Sequence, residues 1–281
     1  IFMLHRVSVF EPNKLYPNEN MKVTPLFLEK FILQLRENGY EFISLDRLYE
    51  ILINDESVEN NVIFTFDDGY ADNYDIAYPI LKKYNVPFTV YVTTSFIEKK
   101  AVLWWYILED LIINNDKLVV SKGMVFNCST QKEKIDSFFK LRKVILAFND
   151  ADFIGQFNRL FQNYKIDLYA KTIELTMTWE QIKSISEDPL CTIGGHTKNH
   201  YALNTLSRDV IHEEILAANK MIEKNIEKKI EHFAYPFGGR NEVGKREFEI
   251  VNDLKFKTTT TTRRGNIYKE HKGYLQCLPR I

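Results

Sequence analysis

Two adjacent carboxylates, Asp67 and Asp68, close an apolar run, in which residues 62 to 70 read Val-Ile-Phe-Thr-Phe-Asp-Asp-Gly-Tyr. The β-branched and aromatic residues predict a strand covered on both faces. The C-terminal ends of such strands are where α/β folds place their chemistry. Neighbouring side chains on a strand point to opposite faces, so the pair can divide a task only if the backbone bends there. Gly69 supplies the freedom for that bend. Taken alone, Asp-Asp-Gly fits a solvated turn equally well.

A second segment changes the balance. Residues 191 to 200 read Cys-Thr-Ile-Gly-Gly-His-Thr-Lys-Asn-His, a short apolar strand running into His196 and His200. Histidines four apart share one face of a helical turn, with Cβ atoms about 5–6 Å apart, a workable spacing for two imidazoles on one metal ion. One carboxylate with two imidazoles makes a three-ligand site with positions left open for water and substrate. That is the layout of a catalytic metal rather than a structural one. The remaining carboxylate is then free to serve as general base.

With both motifs on the page, Thr65-Phe66-Asp67-Asp68-Gly69-Tyr70 followed by His196-Thr197-Lys198-Asn199-His200 resembles the polysaccharide deacetylases of carbohydrate esterase family 4, the NodB-homology group. Leu4-His5-Arg6-Val7 is similar to the opening strand of members that modify bacterial surface polysaccharides. Phe233-Ala234-Tyr235-Pro236-Phe237-Gly238 resembles the third family motif, and Leu278-Pro279-Arg280-Ile281 a closing segment of the same subgroup. The resemblance spans essentially residues 1 to 281.

The resemblance implies an α/β fold, an irregular and incomplete (β/α)7 barrel. It also implies hydrolysis of the acetamide of an N-acetylated sugar during assembly of a surface polysaccharide or lipid-linked glycan. By the same resemblance Asp67 is the general base, and Asp68, His196 and His200 hold the metal. Zinc is expected, with cobalt, nickel or iron compatible with the same donors. The main-chain N–H of Phe237 is expected to help hold the oxyanion. Two departures stand out. Many members orient the base with an arginine in the third motif, where this chain has Ala234; Arg280 is the first candidate to replace it and Arg264 the second. The family's C-terminal Leu-x-His general acid is also missing, leaving His5 as the candidate pocket histidine. Arg280 paired with a surface carboxylate and His5 in a core or surface role are the plain alternatives.

Composition bounds the rest. A chain of 281 residues that is 45% hydrophobic can bury a full core, and one barrel-sized domain, 1–281, is the natural count. Its net charge of −1 gives no electrostatic case for nucleic acid or acidic membrane as partner. No run approaches the ~20 apolar residues of a membrane span. Cys128, Cys191 and Cys277 are odd in number and widely spaced, which fits buried thiols in a reducing, cytoplasmic setting. The Lys-rich stretch Lys224 to Lys229 reads as a solvated helix face. Oligomeric state has no readable signal.

Strands and helices alternate along the chain, as a parallel sheet requires. Ile1 to Val9 reads as a strand. Thr24-Pro25 opens a helix that runs through Leu26, Phe27, Phe31 and Leu35 to Gly39. A short helix follows Asp46, another covers Asn73 to Tyr84, and Phe88 to Thr94 is a strand. Thr178-Trp179-Glu180-Gln181 has the form of a capping box, and Ser207 opens a long helix to Glu227. His232 to Tyr235 and Lys257 to Thr262 are strands around a helix at Asn241 to Leu254.

Residues 97 to 176 interrupt this alternation and read as an insertion packed on the barrel beside its active face. They contain Trp104-Trp105-Tyr106, an expected strand from Lys117 to Phe126, and helices at Gln131–Phe148 and Asp152–Asn163. Trp104 and Trp105 either stack on sugar rings or anchor the insertion; Tyr70 and Tyr235 each carry a polar tip able to reach a substrate hydroxyl. Two other functions share these residues: hydrolysis of a non-carbohydrate amide, and a silent carbohydrate-binding relative. The second carboxylate argues against the silent form, since a binding module needs only the ligand.

Overall fold

Along each barrel strand, alternate side chains meet either the surrounding helices or the barrel axis. The computed structural model describes residues 1–148 and 152–281. Seven strands form one parallel sheet in the order β1 (Phe2–Leu4), β2 (Phe64–Phe66), β3 (Phe88–Val92), β4 (Cys191–Gly195), β5 (His232–Ala234), β6 (Thr258–Arg264) and β7 (Leu278–Arg280). Ile281 carries the last strand back to the first: its N–H donates to Ile1 O, and Met3 N donates to Ile281 O, both at 2.8 Å. No continuous ladder joins β7 to β1 among the described residues. The sheet is therefore an incomplete (β/α)7 barrel with one unsealed seam.

Phe64, Phe66, Phe88, Val90, Val92 and Ile193 point outward into a cluster with Leu28, Ile32, Leu81, Ile182, Ile185 and Ile222 from the helices. The residues between them, Thr65, Thr89 and Tyr91, face the barrel interior and are buried there. The helix starts follow the expected caps. Thr24 Oγ1 accepts from Phe27 N with Pro25 at the first helical position, Ser207 caps Arg208–Ile226, and Thr178 and Gln181 form the capping box of Trp179–Ser186. Among the described residues no helix is long and apolar enough to cross a membrane.

Three elements differ from the sequence reading. The expected strand Ile1–Val9 splits at His5: β1 stays in the barrel, while Arg6–Val7 pairs with Lys22–Val23. Asp72 pulls the chain sideways there, binding Arg6 Nε at 2.8 Å and Val7 N at 3.3 Å. The expected strand Lys117–Phe126 is an antiparallel pair, Lys117–Val119 with Val125–Asn127. It turns through Lys122 and Gly123, both at positive φ, and similar β-formers on either side conceal that turn. The helix expected over Asn73–Tyr84 opens with a π turn, Asn73–Ala77, before Tyr78–Lys83. Pro79 lacks the N–H that would continue an α ladder back to Asp75.

The segment between β3 and β4 has a core of its own, including Leu103, Leu108, Leu118, Phe138, Leu141 and Phe157, and that core extends onto Tyr70 and Phe96 of the barrel side. Lys99 Nζ ties the two ends together, donating to Thr176 O at 2.8 Å and Met177 O at 3.1 Å.

Gly194 sits opposite Tyr91 on the inward face of β4, and a Cβ there would lie 2.5 Å from the Tyr91 ring and 3.0 Å from His232 O. Gly194→Ala should therefore lower stability by about 1–3 kcal/mol, seen as a fall in the urea midpoint; an unchanged midpoint contradicts the packing.

At the opposite end of the barrel Asp46 meets His232 Nε2 at 3.3 Å and Lys257 Nζ at 2.7 Å. The hydrogen bond to His232, then that to Lys257, hold its carboxyl below the usual range against the opposing effect of burial. A depressed folded pKa contributes stability above the unfolded value, about 3.9, and loses it as pH falls through the folded one. Because Asp46 is 42% exposed, screening limits the effect to about 1 kcal/mol. The stability gap between wild type and Asp46→Asn should be full above about pH 5 and shrink on acidification. A gap that widens on acidification refutes this.

Candidate active site

The inward alternation that places Thr65 inside the barrel carries Asp67 to the same face, and its N–H donates to Leu4 O at 3.0 Å. The chain then bends. Asp68 has φ +73° and Gly69 φ +76°, so the turn begins at the second carboxylate itself. This gives both carboxylates access to one cavity although they are sequence neighbours.

Asp67 is held by Arg280 from the end of β7. Nη1 lies 2.7 Å from Oδ1 and Nη2 2.6 Å from Oδ2, a bidentate pair with both side chains buried. Nη1 also donates to Thr65 Oγ1 and Nε to Thr261 O. Burial pushes the Asp67 carboxyl up, but the Arg280 guanidinium overrides it and the pKa ends below the ordinary value. Arg264 ends β6 as an exposed residue opposite Arg280 in register.

Asp68 faces the two histidines. Its Oδ1 is 3.1 Å from His200 Nε2 and 3.5 Å from His196 Nε2, and one ligand atom from each of the three lies within 4.8 Å of the others. The two histidines do not share a helical turn, as their spacing suggested. Residues 196–200 form a loop with Thr197 at φ +64° and His200 at φ +60°. The loop is held by Thr93 Oγ1 on His196 O at 2.8 Å and by Glu214, whose carboxylate accepts from Asn199 N at 2.8 Å and Asn199 Nδ2 at 2.6 Å.

His196 Nδ1 lies 2.7 Å from the carbonyl oxygen of Ala234. A carbonyl only accepts, so Nδ1 carries a proton and Nε2 is the nitrogen turned toward Asp68. Burial lowers the pKa of His200 against the attraction of Asp68, which favours the neutral ring at His200. Asp68 Oδ1 is buried without a hydrogen-bond partner. A carboxylate oxygen left without a hydrogen bond beside two buried imidazole nitrogens is the donor set a cation would complete. The two nitrogens and one oxygen therefore fit a borderline divalent metal.

These groups open on a cavity of about 380 Å³. His5, Trp104, Trp105 and Phe237 all line it, as the sequence suggested. The tryptophans also pack: Trp105 lies against His200 and Trp104 against Phe237. Tyr70 and Tyr235 do not reach it. Both are fully buried; the Tyr70 hydroxyl accepts from Trp105 Nε1 at 3.2 Å, and that of Tyr235 donates to Gln276 O at 2.8 Å. Their polar tips satisfy the protein rather than a ligand.

The sequence reading missed the rest of the wall. Tyr16, Asn18 and Met21 come from the segment after the split first strand, and Phe138, Phe139 and Arg142 from the helix Gln131–Ile145. No local motif marks them. The signal for Arg142 was a charge at a position where the helix pattern asks for an apolar residue. Glu214, which holds the loop through Asn199, and the Ala234 carbonyl, which meets His196, were missed because their partners are distant in sequence.

Comparison with known proteins agrees with this geometry. The polysaccharide deacetylase family model matches residues 54–130 and 138–258. A stretch of 101 residues is 33% identical to the protein named "Putative polysaccharide deacetylase YxkH" of Bacillus subtilis (strain 168), covering 36% of this chain and only 33% of that protein. Among solved structures, the Streptococcus pyogenes deacetylase PplD in complex with acetate superposes with a TM-score of 0.64 at 21% identity, over 100% of this chain and 89% of that one. IcaB from Ammonifex degensii superposes at 0.62 with 17% identity, over 100% and 89%. The structural matches establish the shared fold, and the family model establishes descent: this chain belongs to the polysaccharide deacetylase family.

Proposed function

We propose that the chain is a metal-dependent N-deacetylase that hydrolyses the acetamide of an N-acetylated sugar in a bacterial surface polysaccharide or lipid-linked glycan. One observation carries this reading: Asp68 and the Nε2 atoms of two histidines converge on one point, while Asp67 stands apart in the grip of Arg280. Neighbouring carboxylates thereby take different tasks. A divalent ion held by Asp68, His196 and His200 would supply Lewis-acid charge for the reaction, and zinc matches those donors best.

The protein's own groups do the rest. Arg280 keeps Asp67 ionised and oriented, so that it can accept a proton from the attacking water. The main-chain N–H of Phe237, set at φ +59° beside His200, is the candidate oxyanion donor. His5, on the cavity wall, is the candidate acid for the departing amine. Cavity walls drawn from both the barrel and residues 97–176 support treating 1–281 as one functional unit. The surface-glycan assignment is supported by the resemblance of the first and last segments to that subgroup, with IcaB as a structural neighbour.

Asp67→Asn should abolish acetate release from N-acetylated oligosaccharides while metal content stays that of the wild type; His196→Ala should lower both. Full activity in Asp67→Asn would refute the assignment of the base. Arg280→Leu leaves a buried carboxylate unpaired and should lower stability by about 3–5 kcal/mol. Arg280→Leu combined with Asp67→Leu should unfold at higher denaturant than Arg280→Leu alone. If the double variant is the weaker one, the buried pair is not the reason for the loss.

A further inference from the structure

The helix Gln131–Ile145 buries Phe138, Leu141 and Ile145 in the core of residues 97–176. Those positions run i, i+3 and i+7, so i+4 completes the apolar stripe. Residue i+4 is Arg142, a half-buried guanidinium on the face where the pattern demands a hydrophobe. A local rule broken without a structural return marks a functional residue. Here there is little structural return. No carboxylate oxygen among the described residues lies within 4.0 Å of the Arg142 guanidinium, and Glu242 acts on it only at longer range. Its ζ carbon sits 5.6 Å from the centre of the Phe237 ring, the residue that also touches His200. Arg142 thus stands on the wall of the cavity that holds Asp67 and Asp68.

The charge balance of that cavity points the same way. Its carboxylate, imidazole and guanidinium lining is His5, Asp67, Asp68, Arg142, His196 and His200. Arg280 neutralises Asp67, and a divalent ion more than offsets Asp68, which leaves Arg142 as surplus positive charge. Burial already disfavours the charged guanidinium, and an incoming anion would reverse that.

Resting on the deacetylase reading above, we propose that Arg142 receives an anionic group of the glycan, a carboxylate or a phosphate on the acetamido sugar or on the unit beside it. The substrate class is then an acidic N-acetylated glycan, and Arg142 is the residue that selects it. A guanidinium over an aromatic face, with no carboxylate of the described residues in its reach, has N–H donors to offer a bidentate oxyanion.

The test compares zinc-loaded wild-type protein with Arg142→Gln and Arg142→Lys, using three probes: a neutral N-acetylhexosamine disaccharide, a uronate–N-acetylhexosamine disaccharide, and N-acetylglucosamine 1-phosphate. Affinity is measured by calorimetry and turnover by acetate release. Wild type should favour at least one acidic probe over the neutral one by roughly tenfold to a hundredfold. Arg142→Gln should collapse that ratio through KM rather than kcat, and Arg142→Lys should retain part of it. The two acidic probes separate carboxylate from phosphate. Equal binding of acidic and neutral probes by wild type overturns the proposal. So does an unchanged ratio in Arg142→Gln, the result expected if Arg142 only packs on Phe237. If wild type releases acetate from none of the probes, the deacetylase reading fails at that point, and the calorimetric ratio still decides the anion site.

Discussion

A carboxylate buried in a barrel must be paired or protonated, and the pairing of Asp67 with Arg280 meets that constraint here. The two lie 213 positions apart, beyond β2 and at the end of β7, and both forks of the guanidinium are engaged. The same arginine reaches Thr65 and Thr261, so one side chain links three strands at the rim where the sheet fails to close. The ion pair positions the candidate base and also supports the weakest part of the barrel. It leaves Asp68 as the one carboxylate facing the histidines. The family resemblance places this arginine, in many members, in the third motif. Here that position is Ala234, whose carbonyl instead fixes the tautomer of His196.

The site is built from backbone that L-residues adopt reluctantly. Asp68, Thr197, His200 and Phe237 all have positive φ, at a cost on the order of 1 kcal/mol each. Each of these conformations changes a direction. Asp68 turns away from Asp67, the loop 196–200 folds both imidazoles toward one point, and Phe237 lies against His200. Such strain persists only where surrounding contacts hold it. Glu214, Asn199 and Thr93 do so for the histidine loop.

The segment between β3 and β4 carries its own apolar core yet contributes a wall of the cavity. Trp104, Trp105, Phe138 and Arg142 belong to it, while the metal-ligating set belongs to the barrel. The carboxylate–histidine cluster and the aromatic wall beside it thus come from different parts of one chain, as is usual where loops decorate a barrel's C-terminal face.

Much of this was legible in the residues alone. Adjacent carboxylates after a buried strand, with paired histidines after another, already marked the groups that the fold gathers at one cavity. Strand and helix periodicity specified a parallel barrel, because those patterns depend on near neighbours and survive in sequence. Arg280 was singled out as a replacement for a missing guanidinium, but only coordinates place it against Asp67, 213 positions away. Direction was the part that tertiary structure decided. The histidine spacing suggested a helical turn, whereas a loop with two left-handed residues brings the rings together. Tyr70 and Tyr235 looked able to touch substrate, yet their hydroxyls are spent on Trp105 and Gln276. Helix spacing marks Arg142 as a charge on an apolar face, but that this face meets the cavity depends on how distant segments pack, which spacing along the chain does not encode.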